Sequence, residues 1–253
     1  MKFAFAGNRD IGVWVLEYIV SKDFYPELLL LTDEGTNEIK RLEKLSGLKS
    51  DKIFYGNPSS NGVLNELKND ELDYIIGIHY PYIISKEILD IPSIGFLNLH
   101  PAYLPYNRGW HTPSWAILEE TVAGASLHFM SKQLDMGDII HQKRVDISIS
   151  DTANSLYKKI KKLELEVFVE VFEDIINKSF KRFSQRINDG TSHKRRELFD
   201  KNVSRIDFNK PYVFKELYNK LRALTTNDIS EACYFEKDGK KFRIQVNIEE
   251  EIL

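Results

Sequence analysis

The sequence predicts an α/β fold: a Rossmann-like, doubly wound and mostly parallel sheet, followed by a small C-terminal α+β subdomain. The first observation is that short apolar segments alternate with helical segments as far as Pro101. The second is that these segments are apolar throughout, as strands are when helices cover both faces of a sheet. The third is a change after Asp151 to one long helix and then a polar, charged tail.

The parallel strands are expected before Pro101. They are Lys2–Gly7, Pro26–Thr32, Lys52–Gly56, Leu72–Tyr80 and Gly95–His100. Helices are expected over Ile11–Val20, in the polar stretch before Lys52 and in a charged stretch that ends near Asn69. Ligands of doubly wound folds bind at the carboxyl ends of the parallel strands, so polar residues there are the first candidates for a site.

The remaining elements divide the chain in two. Strands are expected over Ala125–Met130 and Gly137–Ile147, and the alternation within Asp138–Gln142 favours an antiparallel pair. A helix capped by Asp151 or Thr152 extends to about Lys178. We therefore predict a domain over residues 1–178 and a subdomain over residues 179–253. The subdomain contains a helical stretch, PYVFKELYNKLRAL, and a hairpin that turns at Asp238-Gly239.

Composition excludes several classes of protein. The 253 residues are 42% hydrophobic and 29% charged, which is ordinary for a globular chain that folds around its own core. A net charge of −3 without a long basic block argues against a nucleic-acid binder. The single cysteine, Cys233, cannot form an internal disulfide, and neither a signal peptide nor an apolar run of membrane length is present. The cytoplasm is the expected compartment.

Two patterns in the sequence are considered as ligand sites, and neither establishes one. The turn Gly7–Gly12 follows a strand and opens a helix, but it lacks the full three-glycine dinucleotide fingerprint. It is therefore either a structural turn or a phosphate contact, and Arg9 favours an anionic ligand. The histidines lack the close pairs that zinc sites prefer, so no metal is expected.

The segment NLHPAYLP, Asn98–Pro105, contains the main candidate site. Residues two apart on a strand share a face, so Asn98 and His100 project together before Pro101 ends the strand. Asp135 lies in a later turn and adds a carboxylate. An amide that stabilises an oxyanion, an imidazole that moves a proton and a carboxylate that supports it fit acyl transfer to nitrogen. The alternative is that Asn98 caps the strand, His100 packs and Asp135 begins a turn.

Three separate motifs resemble one family. NLHPAYLPYNRGWHTPSWAI, GASLHFM and LDMGDIIHQKRVDI are similar, in order, to the catalytic domain of the 10-formyltetrahydrofolate-dependent formyltransferases. The resemblance runs from about Met1 to Lys178. It implies that Asn98, His100 and Asp135 are catalytic. From the chemistry of the groups, we expect His100 to be the general base, and Asn98 and protonated His100 to stabilise the oxyanion. Asp135 would orient and support His100.

Within that family the chain resembles the branch that acts on nucleotide-linked amino sugars. The resemblance rests on GIHYPYIIS, Arg108-Gly109-Trp110 and the tail segments HKRRELFD and YNKLRALT. It implies an acceptor such as a dTDP-linked 4-amino-4,6-dideoxyhexose, its 3-amino isomer or another nucleotide sugar, used in surface polysaccharide (O-antigen) biosynthesis. It also implies 10-formyltetrahydrofolate as formyl donor, no metal, no nucleic-acid or membrane partner, and a homodimer.

The same resemblance suggests two sets of binding residues. Folate would be held largely by main-chain groups at Tyr80, Pro81, Tyr82, Ile83, Leu134, Gly137 and Asp138. The sugar nucleotide would be bound by Asn8, Arg9, Tyr80, Trp110, His193, Arg195 and Arg196. For the charged group Lys194–Arg196, a solvated surface is an equal interpretation.

Three other functions are weighed against this one. A methionyl-tRNA formyltransferase would need a larger, basic C-terminal domain for its RNA. A purine-pathway formyltransferase would leave the tail after Lys178 without a purpose. A non-catalytic module that only binds nucleotide sugars would not need Asn98, His100 and Asp135 together.

Overall fold

A seven-stranded sheet forms the framework of the computed structural model, which describes residues 1–32, 35–59 and 62–251. Its strands are β1 (Phe3–Gly7), β2 (Leu28–Leu31), β3 (Ile53–Tyr55), β4 (Tyr74–Ile78), β5 (Gly95–His100), β7 (Ala123–Phe129) and β8 (Ile139–Val145). Their order is β3-β2-β1-β4-β5-β7-β8. Strands β1 to β5 pair in parallel, and β7 runs antiparallel to β5. The predicted fold class is confirmed.

Helices and small strand pairs complete the fold. The helices are α1 (Arg9–Ser21), α2 (Asn37–Ser46), α3 (Val63–Asn69), α4 (Lys86–Leu89), α5 (Thr112–Leu118), α6 (Ala153–Asn177), α7 (Lys201–Ser204) and α8 (Phe214–Ala223). Strand β6 (Arg108–Gly109) pairs with β9 (Ser192–His193), and β10 (Cys233–Lys237) pairs with β11 (Lys240–Ile244). No helix in residues 1–32, 35–59 and 62–251 is long and apolar enough to cross a membrane.

The expected parallel strands all form, with ends that differ by a few residues. Strand β4 ends at Ile78 rather than Tyr80, because His79 adopts a positive φ of 51° that leaves the extended conformation. Helix α5 and the short pair β6–β9 were not predicted. A strand of two residues has no apolar periodicity to reveal it, and α5 begins with Thr112-Pro113 directly after a positive-φ residue, His111.

The chain divides into two compact units. The first unit comprises Met1–His100, Ser126–Gln142 and Glu164–Gln185, and the second comprises Pro101–Ala125, Lys143–Leu163 and Arg186–Leu253. In the first unit, all residues of β1, β2 and β4 are buried, which explains their uninterrupted apolar sequence. In the second unit a separate core includes Leu156, Leu198 and Leu224, all fully buried.

Candidate active site

The carboxyl end of β5 presents Asn98 and His100 in the first unit. Asn98 is half-buried and stands opposite Gly77 of β4 and His128 of β7 in the strand register. His100, the last residue of the strand, is buried. The polar residues therefore lie at the edge of the sheet where doubly wound folds bind ligands.

The carboxylate of Asp135 comes from the turn between β7 and β8. Asp135 is buried and has a φ of 51°, a left-handed conformation that aspartate tolerates better than most residues. Two residues later, a Cβ on Gly137 would lie 1.8 Å from the carbonyl oxygen of Phe129. Glycine at 137 therefore lets the turn pass close to β7, where the Phe129 N–H donates to the Asp138 carbonyl at 2.8 Å.

The three predicted residues come together around this carboxylate. The Asn98 Nδ2 donates to Asp135 Oδ1 at 3.5 Å, and the His100 Nε2 lies 3.6 Å from Asp135 Oδ2. Another imidazole joins them, because the His128 Nε2 lies 3.2 Å from Asn98 Nδ2 and 3.7 Å from Asp135 Oδ1. Together Asn98, His100, His128 and Asp135 form what we call the polar cluster.

His128 is a neutral acceptor in this cluster. Burial lowers the pKa of His128 from 6.5 to about 4, although the nearby Asp135 carboxylate acts in the opposite direction. Its Nδ1 lies 2.8 Å from the Phe129 carbonyl oxygen, which can only accept, so Nδ1 carries the proton. Nε2 then carries a lone pair, which accepts a hydrogen bond from the Asn98 amide. The histidine thereby fixes which way the Asn98 amide points.

His100 is placed to exchange a proton. Among the described residues, its buried Nε2 has no hydrogen-bond partner, although it faces the Asp135 carboxylate 3.6 Å away. A buried ring nitrogen without a partner is costly unless another molecule completes its hydrogen bonding. The adjacent carboxylate would stabilise an imidazolium formed at His100. The cluster therefore combines a proton acceptor with an amide donor.

Two side-chain contacts of the first unit were not found from the sequence. The Gln185 Nε2 donates to the carbonyl oxygens of Asp135 at 2.9 Å and Gly137 at 2.7 Å. The His79 Nε2 lies 2.8 Å from Oε1 of Glu164, a fully buried carboxylate on α6. Both contacts join residues far apart in the chain, and no local pattern marks them.

The other sequence candidates of the first unit lie at the ends of β1 and β4. Asn8 is buried, accepts from the Arg9 N–H at 2.8 Å and precedes α1. Arg9 is exposed with a φ of 61°. The Tyr80 hydroxyl donates to the Gly56 carbonyl at 2.7 Å, and its ring contacts Tyr82 edge-on.

Exposure varies among the remaining folate candidates. Pro81, Ile83 and Leu134 are exposed. The Asp138 side chain accepts from the Ser184 hydroxyl at 3.0 Å.

The second-unit candidates surround two tryptophans. The Arg195 guanidinium lies over the Trp110 ring at 5.1 Å, and Arg195 and Arg196 are both exposed. His193 is buried, with its ring stacked on Trp115 at 3.9 Å and its Nε2 3.2 Å from a carboxylate oxygen of Glu119. His193 thus has protein partners on its face and at its edge, whereas the arginines are open to solvent.

No group of three or more His, Cys, Asp or Glu side chains in residues 1–32, 35–59 and 62–251 is arranged to hold a metal ion. The fold and the polar cluster define a doubly wound α/β protein with a polar site at the carboxyl edge of its sheet. A family model described as formyl transferase matches residues 53–172, and one described as an N-formyltransferase dimerization C-terminal domain matches residues 200–250. Residues 53–172 are therefore similar to formyltransferases, and residues 200–250 to the C-terminal dimerization domain of N-formyltransferases.

Individual relatives fall into two groups. The dTDP-4-amino-4,6-dideoxyglucose formyltransferase of Mycobacterium tuberculosis is 28% identical over 182 residues, which are 72% of this chain and 76% of that protein. The methionyl-tRNA formyltransferase of Clostridium beijerinckii is 27% identical over 97% of this chain and 80% of that protein. The crystal structure of a 4-N formyltransferase from Francisella tularensis has a TM-score of 0.82 and 24% identity, covering 98% of this chain and 97% of that one.

Proposed function

We propose that this protein transfers the formyl group of 10-formyltetrahydrofolate to the amine of a nucleotide-linked amino-deoxy sugar, with a dTDP-linked 4-amino-4,6-dideoxyhexose as the preferred acceptor. The observation that carries the proposal is the polar cluster. It brings the Asn98 amide and the His100 imidazole to 3.5 and 3.6 Å from the two oxygens of one buried carboxylate. Acyl transfer to an amine can use these three kinds of group as oxyanion donor, general base and supporting carboxylate.

In this mechanism His100 is the general base. The uncharged amine of the sugar attacks the formyl carbon, and the electron pair of the C=O π bond moves to oxygen. His100 Nε2 takes the proton that the amine nitrogen loses, and the Asp135 carboxylate 3.6 Å away stabilises the imidazolium. Asn98 and protonated His100 donate hydrogen bonds to the oxyanion. When the oxyanion collapses, the bond between carbon and the folate nitrogen breaks, and that nitrogen receives the proton with help from Asp135.

The residues proposed to bind folate and the sugar nucleotide are given for each unit separately. In the first unit, main-chain groups of Tyr80–Ile83 and of Leu134, Gly137 and Asp138 bind folate, while Asn8, Arg9 and Tyr80 contact the sugar nucleotide. In the second unit, Trp110, His193, Arg195 and Arg196 are assigned to the nucleotide. The exposed guanidinium of Arg195 over Trp110 supports this, since arginine and an aromatic ring together suit a phosphate and a base.

An amino sugar is preferred to initiator tRNA for two reasons. The name of the Mycobacterium tuberculosis relative specifies a dTDP-linked sugar with its amine at position 4, and we prefer an acceptor of that kind. The match over residues 200–250 is to a dimerization domain rather than to a domain described as binding RNA, and the whole chain carries a net charge of −3. We further propose that residues 1–178 form the catalytic domain and residues 179–253 the subdomain. The enzyme would act in the cytoplasm on precursors of a surface polysaccharide.

The proposal is tested by following the release of tetrahydrofolate spectrophotometrically. The purified protein is given 10-formyltetrahydrofolate and, in parallel, dTDP-linked 4-amino and 3-amino dideoxyhexoses, a UDP-linked amino sugar and charged initiator tRNA. We expect turnover with a dTDP-linked 4-amino sugar. Turnover with the tRNA alone would reject the sugar in favour of the methionyl-tRNA activity.

The catalytic assignment is tested by Asn98→Ala and His100→Ala. Loss of one preorganised oxyanion donor lowers kcat by about 10²–10³ in related chemistry, so we expect at least that loss for Asn98→Ala. We expect His100→Ala to be inactive above background, because no other described residue of the cluster offers a basic nitrogen free to accept a proton. Circular dichroism checks that both variants are folded. A folded variant that turns over at the parental rate would remove that residue from the mechanism.

A further inference from the structure

At the start of the turn that carries Asp135, the Ser131 hydroxyl donates to the Gln133 carbonyl at 2.9 Å and accepts from the Gln133 N–H at 3.3 Å. Within the turn, the Met136 N–H reaches the Gln133 carbonyl only at 3.4 Å, and Asp135 is held at a φ of 51°. Leu134 is 53% exposed, so the turn gains little from burial on that side. A carboxylate that must keep distances of 3.5 and 3.6 Å to two other side chains also needs its backbone held in place.

Gln185 holds the backbone of this turn in place. A glutamine amide nitrogen has two hydrogens, and both are used here: one bonds the carbonyl of Asp135 at 2.9 Å and the other that of Gly137 at 2.7 Å. One planar group therefore clamps the backbone on both sides of Met136. These two bonds fix the peptide from which the Asp135 side chain extends.

The backbone segment that carries Gln185 is itself well anchored. The segment 180–185, which we call the strap, follows α6 and pairs with the start of β8 through two bonds between Phe183 and Ile139, at 2.9 and 2.8 Å. The Ser184 hydroxyl donates to Asp138 at 3.0 Å, and the Arg182 guanidinium lies 3.7 Å from the centre of the Phe129 ring. The strap thus contacts the residues on both sides of the turn, and Gln185 is its last member.

We infer that Gln185 is a positioning residue for formyl transfer. Through the Asp135 backbone it keeps the carboxylate aligned with His100 and Asn98. This inference rests on the proposed function and assigns a role within it to a residue outside the matched family segments, 53–172 and 200–250. The competing interpretation is that the two bonds only stabilise the fold.

Steady-state kinetics of two variants separate these roles. Gln185→Met keeps the length of the side chain and removes both donors. Ser184→Ala is the matched control, because it removes one neighbouring hydrogen bond of the strap and leaves both carbonyl contacts of Gln185 in place. A misplacement of about 1 Å can lower a rate by about 10²-fold, so we expect kcat to fall about 10- to 100-fold in Gln185→Met. We expect KM for both substrates to change less than about twofold, and Ser184→Ala to keep the parental kcat.

A readout that needs no substrate distinguishes failure of this inference from failure of the proposed function. The ring proton signal of His100 in NMR spectra at pH 7 reports the carboxylate 3.6 Å from its Nε2. We expect it to move in Gln185→Met and not in Ser184→Ala. An unmoved signal, or a loss of rate that only follows the unfolded fraction, would overturn the positioning role. A wild-type protein inactive on every substrate would reject the proposed function, while the NMR result would still decide whether Gln185 positions Asp135.

Discussion

At the scale of single residues, His128 connects the chemistry of the cluster to the stability of the fold. It is completely buried in the first unit and holds Asn98 by accepting a hydrogen bond on Nε2. Burial lowers its pKa from 6.5 to about 4. Between those values the unfolded chain takes up a proton at His128 that the folded protein excludes. The contribution of neutral His128 to the unfolding free energy is therefore complete above pH 6.5 and is lost as the pH falls toward 4.

This linkage predicts a measurable difference between two proteins. A depression from 6.5 to about 4 corresponds to about 3 kcal/mol of unfolding free energy lost between those pH values. Urea unfolding at several pH values measures that loss, and His128→Leu shows how much of it belongs to His128. We expect the variant to have a shallower dependence on pH over this range, whatever its stability at pH 7. Equal slopes for both proteins would show that His128 does not titrate in this way.

At the scale of elements, two glycines of the first unit predict opposite effects of alanine. A Cβ at Gly137 would lie 1.8 Å from the Phe129 carbonyl oxygen, so the turn and β7 must separate. We expect Gly137→Ala to lower the unfolding free energy by about 1–3 kcal/mol and to weaken catalysis, because Asp135 lies in the same turn. Thermal and urea unfolding check the first effect, and the formyl-transfer assay checks the second.

Gly12 in α1 provides the contrast. The nearest atom to a Cβ at this position is a Gly7 backbone carbon at 3.6 Å, an ordinary contact. Because glycine is unfavourable inside a helix, we expect Gly12→Ala to raise the unfolding free energy by about 0.5–1 kcal/mol. A destabilised Gly12→Ala, or an unaffected Gly137→Ala, would contradict these local contacts.

The sequence could predict those parts of the site that depend on local geometry. A strand repeats every two residues, so Asn98 and His100 had to share a face, and Pro101 had to follow the end of the strand. The later turn supplied Asp135 as a candidate carboxylate, and the resemblance to a family implied its role. Neither the periodicity of a strand nor the family resemblance predicts contacts between residues far apart in the chain. Gln185 contacts Asp135 across 50 positions, and His79 contacts Glu164 across 85. Such pairs depend on the path of the strap and on the rotation of α6, which no segment encodes alone. The binding roles of Trp110, Arg195 and Arg196 stay predictions.

At the scale of the whole molecule, the exposed apolar residues of the second unit indicate how copies associate. Many large exposed apolar side chains fall within the segment that matches a dimerization domain, residues 200–250: Phe208, Tyr212, Val213, Phe214, Ile229 and Phe242. In the same unit, Phe208, Phe235 and Phe242 form an aromatic stack with ring centres 5.0 and 5.1 Å apart. Aromatic residues exposed in this way are enriched at interfaces between proteins.

We therefore expect a homodimer in which this aromatic stack is covered. Twice the chain mass of 29.5 kDa gives about 59 kDa, which light scattering after size exclusion measures directly. Phe242 is 43% exposed, and a carboxylate buried in its place would be costly, so Phe242→Glu should shift the mass toward that of one chain. Tyr25→Glu is the control, because Tyr25 is 53% exposed and lies outside the matched segment. A monomeric wild-type protein at high concentration would exclude the dimer. A Phe242→Glu variant that stays dimeric would move the interface away from the stack.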